Sequence, residues 1–292
     1  MNKPENIKKI YPLKLKPIYK EAIWAGTRLK RDYGADVSTE RLAEEWLLTV
    51  RGDGMSVIEN GVYKDMTLGE YLSAAESEFP LLVKFIDAGD KLSVQVHPDK
   101  TELWYIVEAN DNSQIVYGLN KYYSKTEIGE ALDKHQIEHM LKYINVKAGE
   151  FYYIPSGLVH AIGGGILIAE IQQNSNTTYR LYDYNRKQAD GSFRELHIDK
   201  ALDTIKHFEN ISESDHCKYF IVDKYVISGR FDFEGSKTFR HIICLDGNCF
   251  INGTEPLNKG DSYFLPSGIK EFYINSITNV TVLVSSNNSD KK

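Results

Sequence analysis
Residues 92–97 alternate without a break. Leu92, Val94 and Val96 are apolar, and Ser93, Gln95 and His97 are polar. A period of two predicts a strand with one face in a core. Polar residues on the other face suit the inner wall of a barrel that holds a ligand. Before this strand, the run Leu81-Leu82-Val83-Lys84-Phe85-Ile86-Asp87 predicts a buried strand. Pro80 ends a short helix over 67–77, in which Thr67 and Glu70 stand at capping-box spacing. Earlier strands are expected within 12–24 and 42–50. Trp104-Tyr105-Ile106-Val107 and Gln114-Ile115-Val116-Tyr117-Gly118 predict a strand pair around the turn Asn110-Asp111-Asn112. Ile128, Leu132, Ile137 and Leu141 recur at helical spacing, which predicts one or two helices over 124–142.

Strands return at 143–146, 152–154 and 165–171, followed by a connecting helix over 197–207. The polar stretch 209–215 is the expected linker. Beyond it, short strands are predicted at 219–222, 225–228, 240–245, 249–251, 262–265, 272–274 and 280–284. Asp246-Gly247-Asn248 is a hairpin-type turn, and the polar tail 285–292 is expected to fray. Many short strands with turn signals give a mainly β chain. Two domains are expected, 1–208 with helical inserts and 216–292.

Composition supports this picture. The 292 residues suffice for two modest cores, and the aromatic content of 12%, with 19 tyrosines, favours strands. A net charge of −6 argues against nucleic acid as a partner, because no basic field opposes its phosphates. No apolar run is long enough for a membrane helix, and the start Met1-Asn2-Lys3-Pro4-Glu5 lacks the apolar core of a signal peptide. Cys217, Cys244 and Cys249 form no disulfide framework, so a cytoplasmic location is expected.

One phrase occurs twice. Residues 149–160 and 260–271 both read G-x5-P-x-G-x2 followed by a polar residue, His160 in the first copy and Glu271 in the second. The glycine and proline predict a sharp bend that aims this residue back into a barrel. Upstream of the first copy lie Gln95, His97 and Glu102. Two imidazoles and a carboxylate are a frequent catalytic zinc set, and a glutamine adds a neutral oxygen. Gln95, His97, Glu102 and His160 are therefore the candidate ligands, with manganese, iron or cobalt also compatible. The second copy, with Glu271 and no matching H-x-H or Q-x-H, is expected to hold no metal.

The arrangement Gln95-x-His97-x4-Glu102 with the 149–160 phrase resembles the cupin superfamily, which implies two jelly-roll barrels. More closely, the chain resembles the type I, zinc-dependent phosphomannose isomerases of the short bacterial form. The resemblance rests on Pro80-Leu81-Leu82-Val83-Lys84, Leu92-Ser93-Val94-Gln95-Val96-His97-Pro98-Asp99, Lys100-Thr101-Glu102-Leu103-Trp104-Tyr105, the 153–161 bend, and residues 170–184. It implies one zinc per chain on those four ligands, an active-site arginine at Arg180, and cavity roles for Lys100 and Glu170. The implied reaction interconverts mannose 6-phosphate and fructose 6-phosphate by moving a proton between C1 and C2. Ser93, Lys100 and Arg180 are the candidate donors to the sugar phosphate, and the chain is expected to be a monomer or homodimer. In family members of this form a loop separates His-Pro-Asp from Lys-Thr-Glu. Here the two stretches run together, which alters the rim of the pocket.

A competing phrase, His135-Gln136-Ile137-Glu138-His139, spells a helical metallopeptidase motif. Its charged surroundings predict a solvated helix instead. A dioxygenase-type metal cupin and a non-catalytic sugar-binding cupin are the alternatives to the isomerase.

Overall fold
The computed structural model describes residues 9–73, 79–209, 211 and 218–288. The chain forms two compact units, one built from 17–54 and 75–215, the other from 1–16, 55–74 and 216–292. This differs from a simple division into 1–208 and 216–292. The reason is strand pairing: Leu13–Lys16 lies between Ser262–Leu265 and Val57–Ile58, with Leu13 and Leu15 fully buried.

The unit of 17–54 and 75–215 contains two large antiparallel sheets. One has five strands in the order Leu141–Asn145, Gln114–Leu119, His160–Ile162, Val94–Val96, Tyr179–Tyr182. The other has six, in the order Phe151–Ile154, Glu102–Ala109, Ile166–Gln173, Leu81–Ala88, Glu44–Leu48, Ile18–Lys20. Ile115 and Ile162 from the first sheet and Trp104, Ile106, Ile154 and Ile168 from the second meet in one cluster, the barrel core. The outer face of the five-stranded sheet is apolar too. Val94, Val96, Val116 and Leu181 pack there against Ile128, Leu132, Ile137 and Leu141, the residues whose spacing predicted helix. Leu92 departs from the expected alternation: it lies outside the strand and joins the barrel core.

Other expectations are corrected. Glu102–Ala109 and Gln114–Leu119 are not a hairpin; the turn between them carries the chain from one sheet to the other. Asp246-Gly247-Asn248 likewise joins strands that do not pair, because Glu271–Asn287 lies between them. The strands foreseen at 219–222 and 225–228 are one strand, Phe220–Glu234, and those at 272–274 and 280–284 are one strand, Glu271–Asn287. Each absorbs a bulge rather than breaking. The helix Leu68–Leu72 carries the foreseen Thr67/Glu70 capping box and ends at Ser73 in the left-handed region. Its expected extension over 74–77, most of the linker, Cys217 and the last four residues lie outside the described residues.

The other unit is one eight-stranded antiparallel sheet whose interior holds Phe233, Ile242, Tyr263, Phe272, Ile274 and Val284. Its copy of the repeated phrase reproduces the backbone of the first. Gly149 and Gly260 have φ of 95° and 91°, and Gly157 and Gly268 have φ of 93° and 94°. Gly149 donates its N–H to Ile106 as Gly260 does to Cys244, at 2.8 and 2.9 Å. Lys147 donates to the Glu150 carboxylate as Asn258 does to that of Asp261. The side chains then diverge. Glu271 is exposed, not aimed inward, and its neighbour Phe272 enters the core.

Candidate metal centre and cleft
Cross-strand register builds the site as two facing rows. On the five-stranded sheet, His160 pairs with Gln95, and Gln95 with Arg180. On the six-stranded sheet, Trp104 pairs with Glu170, Glu170 with Lys84, and Lys84 with Trp46. Directly opposed residues share a face, so each row presents its side chains to the same space. That space opens into a cleft of about 330 Å³, lined from the two rows by Gln95, Arg180, Glu170, Lys84 and Trp46.

The 149–160 bend places the last ligand. Gly157 donates its N–H to the His97 carbonyl at 2.9 Å, and Ser156 Oγ donates to the Pro98 carbonyl at 2.7 Å. The left-handed φ at Gly157 suits glycine, and an added Cβ would also meet the Lys206 side chain at 2.7 Å. The short segment between His97 and Glu102 is held from a third side, where Ser175 and Thr177 hydroxyls donate to Asp99 at 2.9 and 3.1 Å.

His97, Glu102 and His160 are buried, and their ligand atoms lie within 4.8 Å of one another. Each ring donates Nδ1–H to a backbone carbonyl, His97 to Thr177 and His160 to Leu158, both at 2.8 Å. This leaves both Nε2 atoms as lone-pair donors, 3.1 Å apart, with Glu102 Oε1 3.1 Å from His97 Nε2. Facing lone pairs beside a carboxylate call for a cation between them, so the residues fit a metal ion. Burial lowers both histidines, with further help from Lys100 on His97 and from His97 on His160, which falls to about 3. Both are thus neutral, as ligands must be. Burial alone would raise Glu102, but Lys100 and His97 outweigh it and hold the carboxyl well below its usual range. The Gln95 amide nitrogen lies 3.3 Å from His160 Nε2, so Gln95 stands beside the triad.

The remaining foreseen residues also reach the cleft. Lys100 Nζ is 2.8 Å from Glu102 Oε1 and 3.4 Å from Gln172 Oε1. Glu170 is buried, 3.0 Å from Lys84, and accepts from Trp104 Nε1 at 2.8 Å. Burial and Glu102 raise its pKa, against the pull of Lys84 and Lys100. Burial would lower Lys84, yet Glu170, Glu44 and Glu102 raise it above its ordinary value. Arg180 donates from Nη1 to the Glu195 carbonyl at 2.7 Å and from Nε to Ser93 Oγ at 3.3 Å. Among the described residues it forms no ion pair. The nearby carboxylate, Asp183, is taken by Arg186 and Arg194.

Lys84, Glu44, Trp46, Lys20 and Arg194 also line the cleft, and sequence reasoning missed them. Lys84 gave one signal: a lone charge in the middle of an apolar strand. The H-x-x-E-H phrase forms no site. The helix ends at Asp133, His135 takes a left-handed φ of 55°, and His139 sits in a separate 3-10 turn, both rings exposed.

Fold and site together define a chain with a metal-binding cupin barrel and a second β unit that repeats its bend. Comparison with known proteins narrows the class. Residues 12–141 match the phosphomannose isomerase type I catalytic domain, and 210–287 the mannose-6-phosphate isomerase cupin domain. The chain is 39% identical to mannose-6-phosphate isomerase ManA of Bacillus subtilis, over 89% of this chain and 95% of the relative. It is 36% identical to the mannose-6-phosphate isomerase of Streptococcus mutans, over 89% and 94%. A crystal structure of the B. subtilis mannose 6-phosphate isomerase superposes with a TM-score of 0.87 at 34% identity, over 94% of this chain and 99% of that one. The chain belongs to the type I mannose-6-phosphate isomerase family. No helix among the described residues is long and apolar enough to cross a membrane.

Proposed function
We propose that this cleft interconverts mannose 6-phosphate and fructose 6-phosphate, with zinc as its resident metal on Gln95, His97, Glu102 and His160. When bound, the metal supplies a Lewis acid that polarises the sugar carbonyl and steadies the enediolate. The chain's own residues do the rest. Glu170, buried and with a raised pKa, takes the proton from one carbon and returns it to the next, since such a carboxyl is suited to transfer near neutral pH. Lys84 holds its charged form in place. Lys100, beside Glu102, and Arg180 supply positive charge toward the sugar oxygens and phosphate, and Ser93 adds a hydroxyl. The walls around Trp46 and Leu92 limit water at the reacting carbons.

The observation that supports this reading most strongly is that the ligand triad and the unpaired Arg180 guanidinium share one cleft. The experiment is to remove metal from the purified protein, reload it with zinc, manganese or cobalt separately, and follow fructose 6-phosphate formation in a coupled assay. The metal-free protein should be inactive and the zinc form active. Stoichiometric metal without isomerisation would overturn the assignment.

A further inference from the structure
We propose that the Trp104 indole N–H is a positioning donor that orients the carboxylate of the metal ligand Glu102 and ties it to Glu170. The proposal rests on the metal reading above. Trp104 is fully buried and does not line the cleft, so it touches no substrate. Its single N–H is shared, 3.1 Å from Glu102 Oε2 and 2.8 Å from Glu170 Oε2. The other oxygen of each carboxylate faces a functional partner. Glu102 Oε1 faces His97 and Lys100 at 3.1 and 2.8 Å, and Glu170 Oε1 faces Lys84 at 3.0 Å. Tying both Oε2 atoms to one donor fixes the rotation of both groups. The indole also packs edge-on against the His160 ring, with centroids 5.5 Å apart. One side chain therefore touches two ligands and the proposed proton carrier.

The second barrel supplies an internal comparison. Ile106 and Cys244 occupy the same place relative to the repeated phrase, each accepting from its first glycine. Counting back, Trp104 corresponds to Ile242, and Glu102 to Arg240. Trp104 pairs with Glu170 as Ile242 pairs with Val284. Where the two carboxylates are gone, the indole is gone as well. The second barrel thus lacks the donor together with both of its acceptors.

Removing an outer partner of a metal ligand typically weakens metal binding ~10–100-fold. In Trp104→Phe, zinc affinity of the metal-free protein, measured by competition with a chromophoric chelator, should fall about 10-fold or more. The kcat should fall with little change in KM. Site-specific benzothienylalanine at 104 keeps the ring's volume and replaces N–H with sulfur; it should reproduce the loss without a packing change, even if the phenylalanine variant folds poorly. Trp46→Phe, which removes the similar donor to Glu44 at the far end of the row (2.7 Å), should leave zinc affinity unchanged. Zinc affinity within twofold of wild type for the benzothienylalanine protein would overturn the proposal. A wild-type protein that fails to bind zinc would instead overturn the metal reading.

Discussion

Lys84 and Glu170 face each other in direct register on adjacent strands, with ammonium and carboxylate 3.0 Å apart in a buried setting. The pair sits between Glu44 on one side and the Trp104 indole on the other. Removing one member leaves the other charge without its counter-ion, a loss that costs roughly 3–5 kcal/mol in buried pairs. Lys84→Met should therefore lower unfolding free energy in urea by that order, and the double variant Lys84→Met/Glu170→Leu should regain much of it. Equal instability of the single and double variants would contradict the pairing.

His97→Ala and His160→Ala should each lose bound metal and nearly all isomerase activity, while circular dichroism keeps its β signature. The barrel core of Trp104, Ile106, Ile154 and Ile168 packs without an ion. Elemental analysis decides: full metal content in both variants would sink the ligand assignment.

Arg180→Ala should retain metal and lose ~10²–10³ in kcat if its guanidinium stabilises charge that develops on the sugar. A rise in KM with steady kcat would move Arg180 to the phosphate instead. Arg180→Lys should rescue little, because both Nε and Nη1 are engaged in a fixed fork. Wild-type kinetics for Arg180→Ala would remove it from the active site.

His135→Ala together with His139→Ala should leave metal content and activity unchanged within about twofold, a change worth less than 0.5 kcal/mol. Both rings are exposed and lie on separate turns. A large loss of either quantity would revive a role for the phrase.

His241 gives a pH dependence. It is wholly buried between Phe264 and Ser285 on the neighbouring strands, and neither ring nitrogen has a hydrogen-bond partner. Burial pushes its pKa down to about 3. The unfolded chain binds a proton near pH 6.5 that the native state refuses. Stability from this residue is therefore full above about pH 6.5 and falls as pH drops toward 3, by up to ~1.4 kcal/mol per unit. His241→Leu should flatten the stability curve between pH 7 and pH 5, measured by urea unfolding. An unchanged slope would show that His241 does not titrate this way.

The candidate ligands were legible because His97, Gln95 and Glu102 follow one another along the chain and His160 ends a phrase with its own bend. Arg180, Glu170 and Lys100 came only through resemblance, since nothing local distinguishes a site arginine from a surface one. Lys84, Glu44 and Trp46 escaped because they join the cleft through pairing across strands far apart in sequence. The same limit hid the place of Leu13–Lys16, whose partner strand begins about 250 residues later. Turn chemistry misled at Asn110-Asp111-Asn112 and at Asp246-Gly247-Asn248. A tight turn signals a reversal but does not say whether the two strands pair.

The repeated bend has one further consequence. Its backbone is the same in the barrel that carries ligands and in the barrel whose interior is apolar. The conformation is therefore written into proline and glycine, and the ion does not impose it. A newly made chain would thus hold His160 in place before any ion arrives.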